Sequence, residues 1–436
     1  MAPSISGGDA SDADAREASI TAQPGWYWDW DFPKHHPYLN EVALDRLNRV
    51  IDECIWCQSH HEFRRLIRAF ILEHIIPFIP QWEAEGKFPR ELHRKAYQSG
   101  VSSRVDCLSG PHEVDIWHDL IINDELANCG AGGVIASCFV SLAIGLPPLL
   151  AGGLAGGPEL TSRLARDIVQ ADKILALAVT EPYAGSDVAN IRTTAVLQPD
   201  GKHYLVNGMK TFITSGPWAD YFTTAVGSGD SGLSLLMIDR TLPGVATTRL
   251  STQGWKSSGT ARITFEDVKV PIEMLIGRRG HGFKAIMHNF NHERLMLALQ
   301  SCRHARICME DAIRYAKTRR TFGKRLIDHQ VIRHKIAEMA RRVLATHYYI
   351  ENIAIQWPQS SQSELAGKVA LLKVQATKTF EFCAREASQV LGGRSYLQGS
   401  GPGARIERLY REVRVNAIGG GSEEIMLDLA ARQARL

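Results

Sequence analysis

Leu295, Ala298, Cys302, Ala305, Met309, Ala312 and Ala316 recur at alternating steps of three and four residues. That spacing puts all of them on one stripe of a single long helix. The stripe is narrow and most of its members are small, so neighbouring helices can approach closely along it. A helix with such a stripe needs others around it to bury the stripe. Ile332, Ile336 and Met339, then residues 365–391, continue the helical periodicity. The C-terminal part of the chain is therefore expected to be a helical bundle.

Upstream the period shortens. His203-Tyr-Leu-Val-Asn-Gly208, Leu233-Ser-Leu-Leu-Met-Ile238 and the run from Ala261 to Pro271 read as strands, punctuated by Gly, Pro and Asp. Earlier still the pattern is helical. Phe63, Leu66, Ile67, Phe70 and Ile71 share a helix face that Pro77 and Pro80 close, and Pro89 stands in the first turn of a further helix. The expected fold is mainly α with a central β domain: helices over 38–173, strands over 174–276 and a helical bundle over 277–436. Residues 1–37 are expected to be a disordered leader. Their first part is rich in Ser, Ala, Gly and Asp, with neither an Arg-rich transit pattern nor an apolar signal core.

Composition excludes some functions. The 436 residues carry a net charge of only +3, spread along the chain, which provides no footprint for nucleic acid. Eight cysteines in a chain of this length, mostly in apolar or helical contexts, do not form a disulfide framework. Cys54-Ile-Trp-Cys57 with His60 and His61 lacks a second ligand pair at usable spacing, so helix is expected there and no metal. Residues 129–158 are uncharged, yet Pro147-Pro148 and interspersed glycines should break them into a helix followed by a loop. A buried helix, not a membrane span, is expected. The last residues, Ala434-Arg435-Leu436, form a small–basic–Leu tripeptide of the peroxisomal type. The expected location is the peroxisome in a eukaryote and the cytoplasm otherwise.

One segment carries more information than any of these. Ala178-Val-Thr-Glu-Pro-Tyr-Ala-Gly-Ser-Asp187 resembles, nearly letter for letter, the first signature of the acyl-CoA dehydrogenase family. Further resemblances follow in that family's order: Lys210-Thr-Phe-Ile-Thr-Ser-Gly216, Phe265-Glu-Asp-Val-Lys-Val-Pro271, Arg319-Arg-Thr-Phe-Gly323 with His329-Gln330, and Gln389-Val-Leu-Gly-Gly393. Together they span about residues 60 to 433. The resemblance implies a helical N-terminal domain, a middle β-barrel, a C-terminal four-helix bundle, bound FAD and an acyl-CoA substrate. It also implies a homo-oligomer, tetramer or dimer, with FAD at the subunit interface. Electrons would pass to an electron-transfer flavoprotein, or to O2 in an oxidase of the same fold. A non-catalytic or nucleic-acid-binding member of the family would need a basic domain, which the charge distribution lacks.

By this resemblance Leu177, Val179, Thr180, Gly185 and Ser186 line the flavin, and Thr180 and Thr214 hydrogen-bond its polar edge. Phe212, where the family often has Trp, and Ile213 continue that surface. Arg319 would pair with the FAD pyrophosphate of a neighbouring subunit, with Phe322 and Gln330 beside it. Gln389, Gly392, Gly393, Ser422 and Glu424 complete the cofactor set. Ser395 occupies a family glycine site, where a positive φ would strain it.

The base is the sharper question. Many relatives carry a catalytic glutamate near the C-terminus, but the matching position in Ile418-Gly-Gly-Gly-Ser-Glu-Glu-Ile425 is Gly420, which has no side chain to take a proton. Isovaleryl-CoA and long-chain acyl-CoA dehydrogenases carry the base instead in a Glu-Arg-Leu sequence, and this chain has Glu293-Arg-Leu295. Glu293 is thus the expected base, with Glu423 and Glu424 as rivals. Ser186, Asn291, Arg294 and Gly420 match positions that contact substrate. The backbone N–H at Gly420 would bond the thioester carbonyl.

Overall fold

Phe63, Ile67, Phe70 and Ile71 are buried along one face of helix α1 (Gln58–His74), whereas Leu66 of the same expected face stays 36% exposed. The computed structural model describes residues 58–102, 115–229, 232–399 and 401–436. The expected leader and the pair Cys54 and Cys57 lie outside these. Pro80 does not close α1 but sits in the first turn of a short helix α2 (Ile79–Glu85), where its missing N–H is harmless. Helices α3 (Glu91–Gln98) and α4 (Ile116–Ala127) follow. Asp115 caps α4 by accepting from the backbone N–H groups of Trp117 and His118.

The uncharged stretch differs from expectation in one respect. Helix α5 (Gly132–Val140) runs through a π-helical turn (Ser141–Gly145), and Pro147-Pro148 then open another helix, α6 (Pro147–Gly152), instead of a loop. The two helical segments are bent by 51°, and among the described residues no single helix is long and apolar enough to cross a membrane. Helix α7 (Pro158–Val169) ends this region.

The β region is one eight-stranded sheet. Strands β2 (Thr194–Leu197), β3 (His203–Ile213), β4 (Tyr221–Gly227), β5 (Leu233–Asp239), β6 (Val245–Arg249), β7 (Ala261–Pro271) and β8 (Leu275–Ile276) follow the order β6-β7-β3-β2-β4-β5-β8. Strand β1 (Leu175–Ala178) pairs in parallel with β4. Side chains alternate along a strand, so each strand can feed two cores. Leu236 and Ile238 of β5 pack with Val206, Phe222 and Ile263, while Leu235 and Met237 pack with Leu164 and Ile168 of α7.

The C-terminal region has three long helices, α8 (Gly282–Thr318), α9 (Gln330–Gln356) and α10 (Gln362–Leu391), and two shorter ones, α11 (Ala404–Ile418) and α12 (Glu423–Gln433). Every residue of the small stripe from Leu295 to Ala316 is buried, as its period requires. The fold is thus helical, then β, then helical, as the periodicity implied. Ser395 is not at positive φ. Its hydroxyl lies 3.0 Å from the carbonyl oxygen of Ser388 and 2.9 Å from that of Gly392, closing the end of α10 without strain.

Candidate active site

Two groups of the expected residues assemble around one apolar core. The first follows from a defect in the sheet. The register of β3 against β7 shifts between Lys210 and Ile213, and Phe212 adopts φ 60°. A bulge of this kind turns side chains out of the ladder, and a bulky residue at positive φ is kept only where something compensates it. Here it leaves Phe212 67% exposed. The segment carrying Thr180 runs alongside, because the N–H of Thr211 donates to the carbonyl of Thr180 at 2.8 Å. A Cβ at Gly185 would stand 3.9 Å from Thr180 Cγ2, so the signature turn folds back on itself. Ser186 is exposed beyond it, and the half-buried hydroxyls of Thr180 and Thr214 have no hydrogen-bond partner among the described residues.

Beneath this surface lies an ion pair that sequence reasoning missed. Lys210, fully buried, donates to Glu181 Oε1 at 2.7 Å and to the carbonyl of Val179 at 3.0 Å. Glu181 also accepts from the N–H groups of Arg192 and Thr193 at 2.6 and 3.0 Å. Burial works against the carboxylate, but these donors hold its pKa below the usual range. Burial lowers Lys210 to about 8. The pair locks the signature to β3. A lysine in a strand normally points to water, so only its burial reveals it.

The second group surrounds Glu293 on α8. Val179, Leu177 and Phe290 share one apolar cluster, so α8 leans on the strand that leads to Thr180 one turn before Glu293. Asn289 donates to the carbonyl of Ala143 at 2.9 Å, holding the start of α8 against the π-helical turn. A Cβ built on Gly420 would stand 4.0 Å from Glu293 Oε1 and 2.7 Å from Leu297 Cδ1, and Gly420 has φ +66°. The Glu293 carboxylate thus reaches the place where a side chain at 420 would begin. Burial pushes its pKa up, against Arg294, His292 and Lys373. Arg294 donates through Nε to the carbonyl of Gly420 at 3.0 Å. Asn291 donates to the backbone oxygen of Gln362 at 2.6 Å. His292 meets Asp119 of α4 at 3.1 Å; burial opposes its charge, but Asp119 and Glu293 outweigh that and raise its pKa.

The rival carboxylates are engaged elsewhere. Glu423 pairs with Lys378. Glu424 is exposed, and its own backbone N–H with Ser422 at the start of α12 keeps its carboxyl below the ordinary range. The remaining cofactor candidates stand apart from the first group, and no hydrogen bond among the described residues joins them to it. Arg319 and Gln330 are exposed beside a hairpin of β9 (Arg320–Thr321) and β10 (Lys324–Arg325), with Phe322 at its tip 96% exposed. Gln389, Gly392 and Gly393 lie exposed at the end of α10.

Models of the acyl-CoA dehydrogenase N-terminal, middle and C-terminal domains match residues 58–156, 176–268 and 280–435. The chain is 36% identical over 401 residues to an acyl-CoA dehydrogenase of Alternaria alternata, covering 86% of this chain and 91% of that one. It is 30% identical over 410 residues to the mitochondrial long-chain specific acyl-CoA dehydrogenase of Sus scrofa, covering 91% of each. A solved structure of a probable acyl-CoA dehydrogenase from Mycobacterium abscessus superposes with a TM-score of 0.80 at 36% identity, covering 87% of this chain and 99% of that one. This helical–β–helical chain is an oxidoreductase acting on acyl-CoA. It belongs to the acyl-CoA dehydrogenase family.

Proposed function

We propose that this chain dehydrogenates an acyl-CoA thioester across its α–β bond, with Glu293 as the base that removes the α-proton. One observation carries the assignment. Glu293 Oε1 lies 4.0 Å from the Cβ position of Gly420, so the carboxylate of α8 takes the space left by the missing side chain. A carboxyl raised by burial is matched to this task, because it is closer in basicity to the weakly acidic carbon it must deprotonate. The α-proton goes to Glu293, the β-hydrogen leaves with its electron pair, and the carbon–carbon single bond becomes double. Bound FAD would supply the acceptor for that hydride.

The residues present fit FAD. Phe212 offers an exposed aromatic face, Thr180 and Thr214 offer unclaimed hydroxyls, and Gly392 and Gly393 have open space where a Cβ would be. Hydroxyls suit a ring whose charge changes, since they donate or accept. Gly420 presents a backbone N–H with no hydrogen-bond partner among the described residues. It is the donor we assign to the thioester carbonyl, where negative charge develops as the α-proton leaves. Asn291, Arg294 and Ser186 complete the substrate side in this reading.

The exposed Arg319, Phe322 and Gln330 are assigned to the cofactor of a neighbouring copy, which makes the working form a homo-oligomer. An electron-transfer flavoprotein is the proposed electron acceptor. The test is anaerobic flavin bleaching by a panel of straight and branched acyl-CoAs, for wild type and Glu293→Gln. Bleaching by the wild type and its loss in the variant support the reading. Wild-type rates in Glu293→Gln overturn the base, and oxygen uptake during turnover without an added acceptor favours an oxidase.

A further inference from the structure

Residues 419–421 are three consecutive glycines, the part of a chain that loses most conformational freedom on ordering. This turn must nevertheless hold still, since it carries the Gly420 N–H and abuts Glu293. Two cations from different helices hold it. Lys373, in the middle of α10, is fully buried, and its Nζ lies 2.7 Å from the carbonyl oxygen of Ala417 and 2.7 Å from that of Gly421. Arg294 of α8 bonds the carbonyl of Gly420 between them. The clamp leaves the Gly420 N–H unused.

We propose that Lys373 is a positioning residue for this reaction: its ammonium staples both sides of the triglycine turn, aiming the Gly420 N–H at the thioester, and its charge favours the ionised base. The inference rests on the function proposed above. A buried ammonium is strongly disfavoured unless its surroundings compensate. The Ala417 carbonyl lies in the last turn of α11, at the negative end of its dipole, and the Gly421 carbonyl follows just beyond that end. Burial, and then Arg294, lower the Lys373 pKa to about 8 against Glu293, Glu423 and Glu424, so the ammonium is charged throughout the acid range in which Glu293 ionises. Neutral donors could have satisfied the same carbonyls, so what the lysine adds is charge beside a buried carboxylate. Around Glu293 itself the charged groups are Arg294, His292 and Lys373.

Two substitutions separate the roles. Lys373→Gln keeps a neutral NH2 donor on a side chain one bond shorter but removes the charge, whereas Lys373→Met removes both. With the acyl-CoA that bleaches the wild type fastest, the acid limb of the bleaching rate should move up by about one pH unit in both variants, as Glu293 becomes harder to ionise. The Met variant alone should also lose about ten-fold in rate at its pH optimum through misplacement of the turn. Hydrogen–deuterium exchange of residues 417–423, read without substrate, should speed up in Met and stay near wild type in Gln. Unchanged acid limbs with unchanged exchange overturn the proposal, and so does a fall in thermal stability as the sole effect. The Gln variant retains a donor beside the turn and reads the charge if the Met variant does not fold. Wild type that no acyl-CoA bleaches would sink the proposed function instead, a distinguishable failure.

Discussion

Arg294 donates through Nε to the carbonyl oxygen of Gly420 at 3.0 Å, so the residue next to the base holds the residue whose side chain the base replaces. Base and turn are thereby one mechanical unit, although the base lies on α8 and the turn follows α11, far apart in sequence.

Glu293→Gln should lower the rate of flavin bleaching by about a thousand-fold, the middle of the range for loss of a general base, while leaving acyl-CoA binding nearly intact. Stopped-flow absorbance gives the rate and equilibrium titration the affinity. A loss shared equally by both would mean that Glu293 acts in binding.

The wild-type bleaching rate should rise with pH through an acid limb above the ordinary glutamate value of 4.5, because burial raises the Glu293 pKa and the base works only when ionised. An acid limb at or below that value would contradict the environment of Glu293.

Gly420→Ala should both destabilise and slow the enzyme. Its φ of +66° disfavours any side chain, and the new methyl would meet Leu297 at 2.7 Å. A loss of about 1–3 kcal/mol in denaturant unfolding is expected. Adding Leu297→Ala should relieve only the steric part, since the backbone strain stays.

Breaking the buried pair beneath the signature should be costly. Lys210→Met leaves the Glu181 carboxylate buried without its cation, an expected loss of about 3–5 kcal/mol. The double variant with Glu181→Gln should recover part of it. Additive losses in the double-mutant cycle would show that the two side chains are not coupled.

Glu412 ties α11 to the start of α5 by accepting from the N–H of Gly132 at 3.0 Å, and burial, reinforced by Glu83, pushes its carboxyl up to about 8 from an ordinary 4.5. The folded state therefore holds this proton more tightly than the unfolded state. Below pH 4.5 both states are protonated and Glu412 contributes no pH dependence. Between 4.5 and about 8 the unfolded state ionises first, so stability falls as pH rises; above that the loss is complete. Glu412→Gln should match wild type at low pH and exceed it by on the order of 5 kcal/mol above pH 8. Calorimetry across that range decides it, and a constant difference at every pH would be the wrong outcome.

Much of this protein was legible in its residue order. The change of period from helix to strand to helix marked the three regions, because side-chain spacing follows directly from 3.6-residue turns and two-residue pleats. The buried stripe from Leu295 to Ala316 shows the same rule at work. The glycine at 420 and the glutamate at 293 were singled out by the family resemblance, which marks one as a position without a side chain and the other as a candidate base. Pro147-Pro148 misled, because proline breaks a helix from inside but begins one readily, and the sequence does not say which side of the boundary it stands on.

What the residue order determined by itself, then, was identity at each position: which groups can titrate, which lack a side chain, which periods must be buried. Tertiary structure alone decided partnership. Lys210 and Lys373 look like solvent lysines in sequence and are fully buried, each against carbonyls supplied by a distant segment. Phe212 became an exposed face only because a register shift turned it out of its strand. Burial and desolvation arise from what packs around a group, and that packing comes from parts of the chain remote in sequence. The basicity of Glu293 is therefore a property of the fold that encloses it.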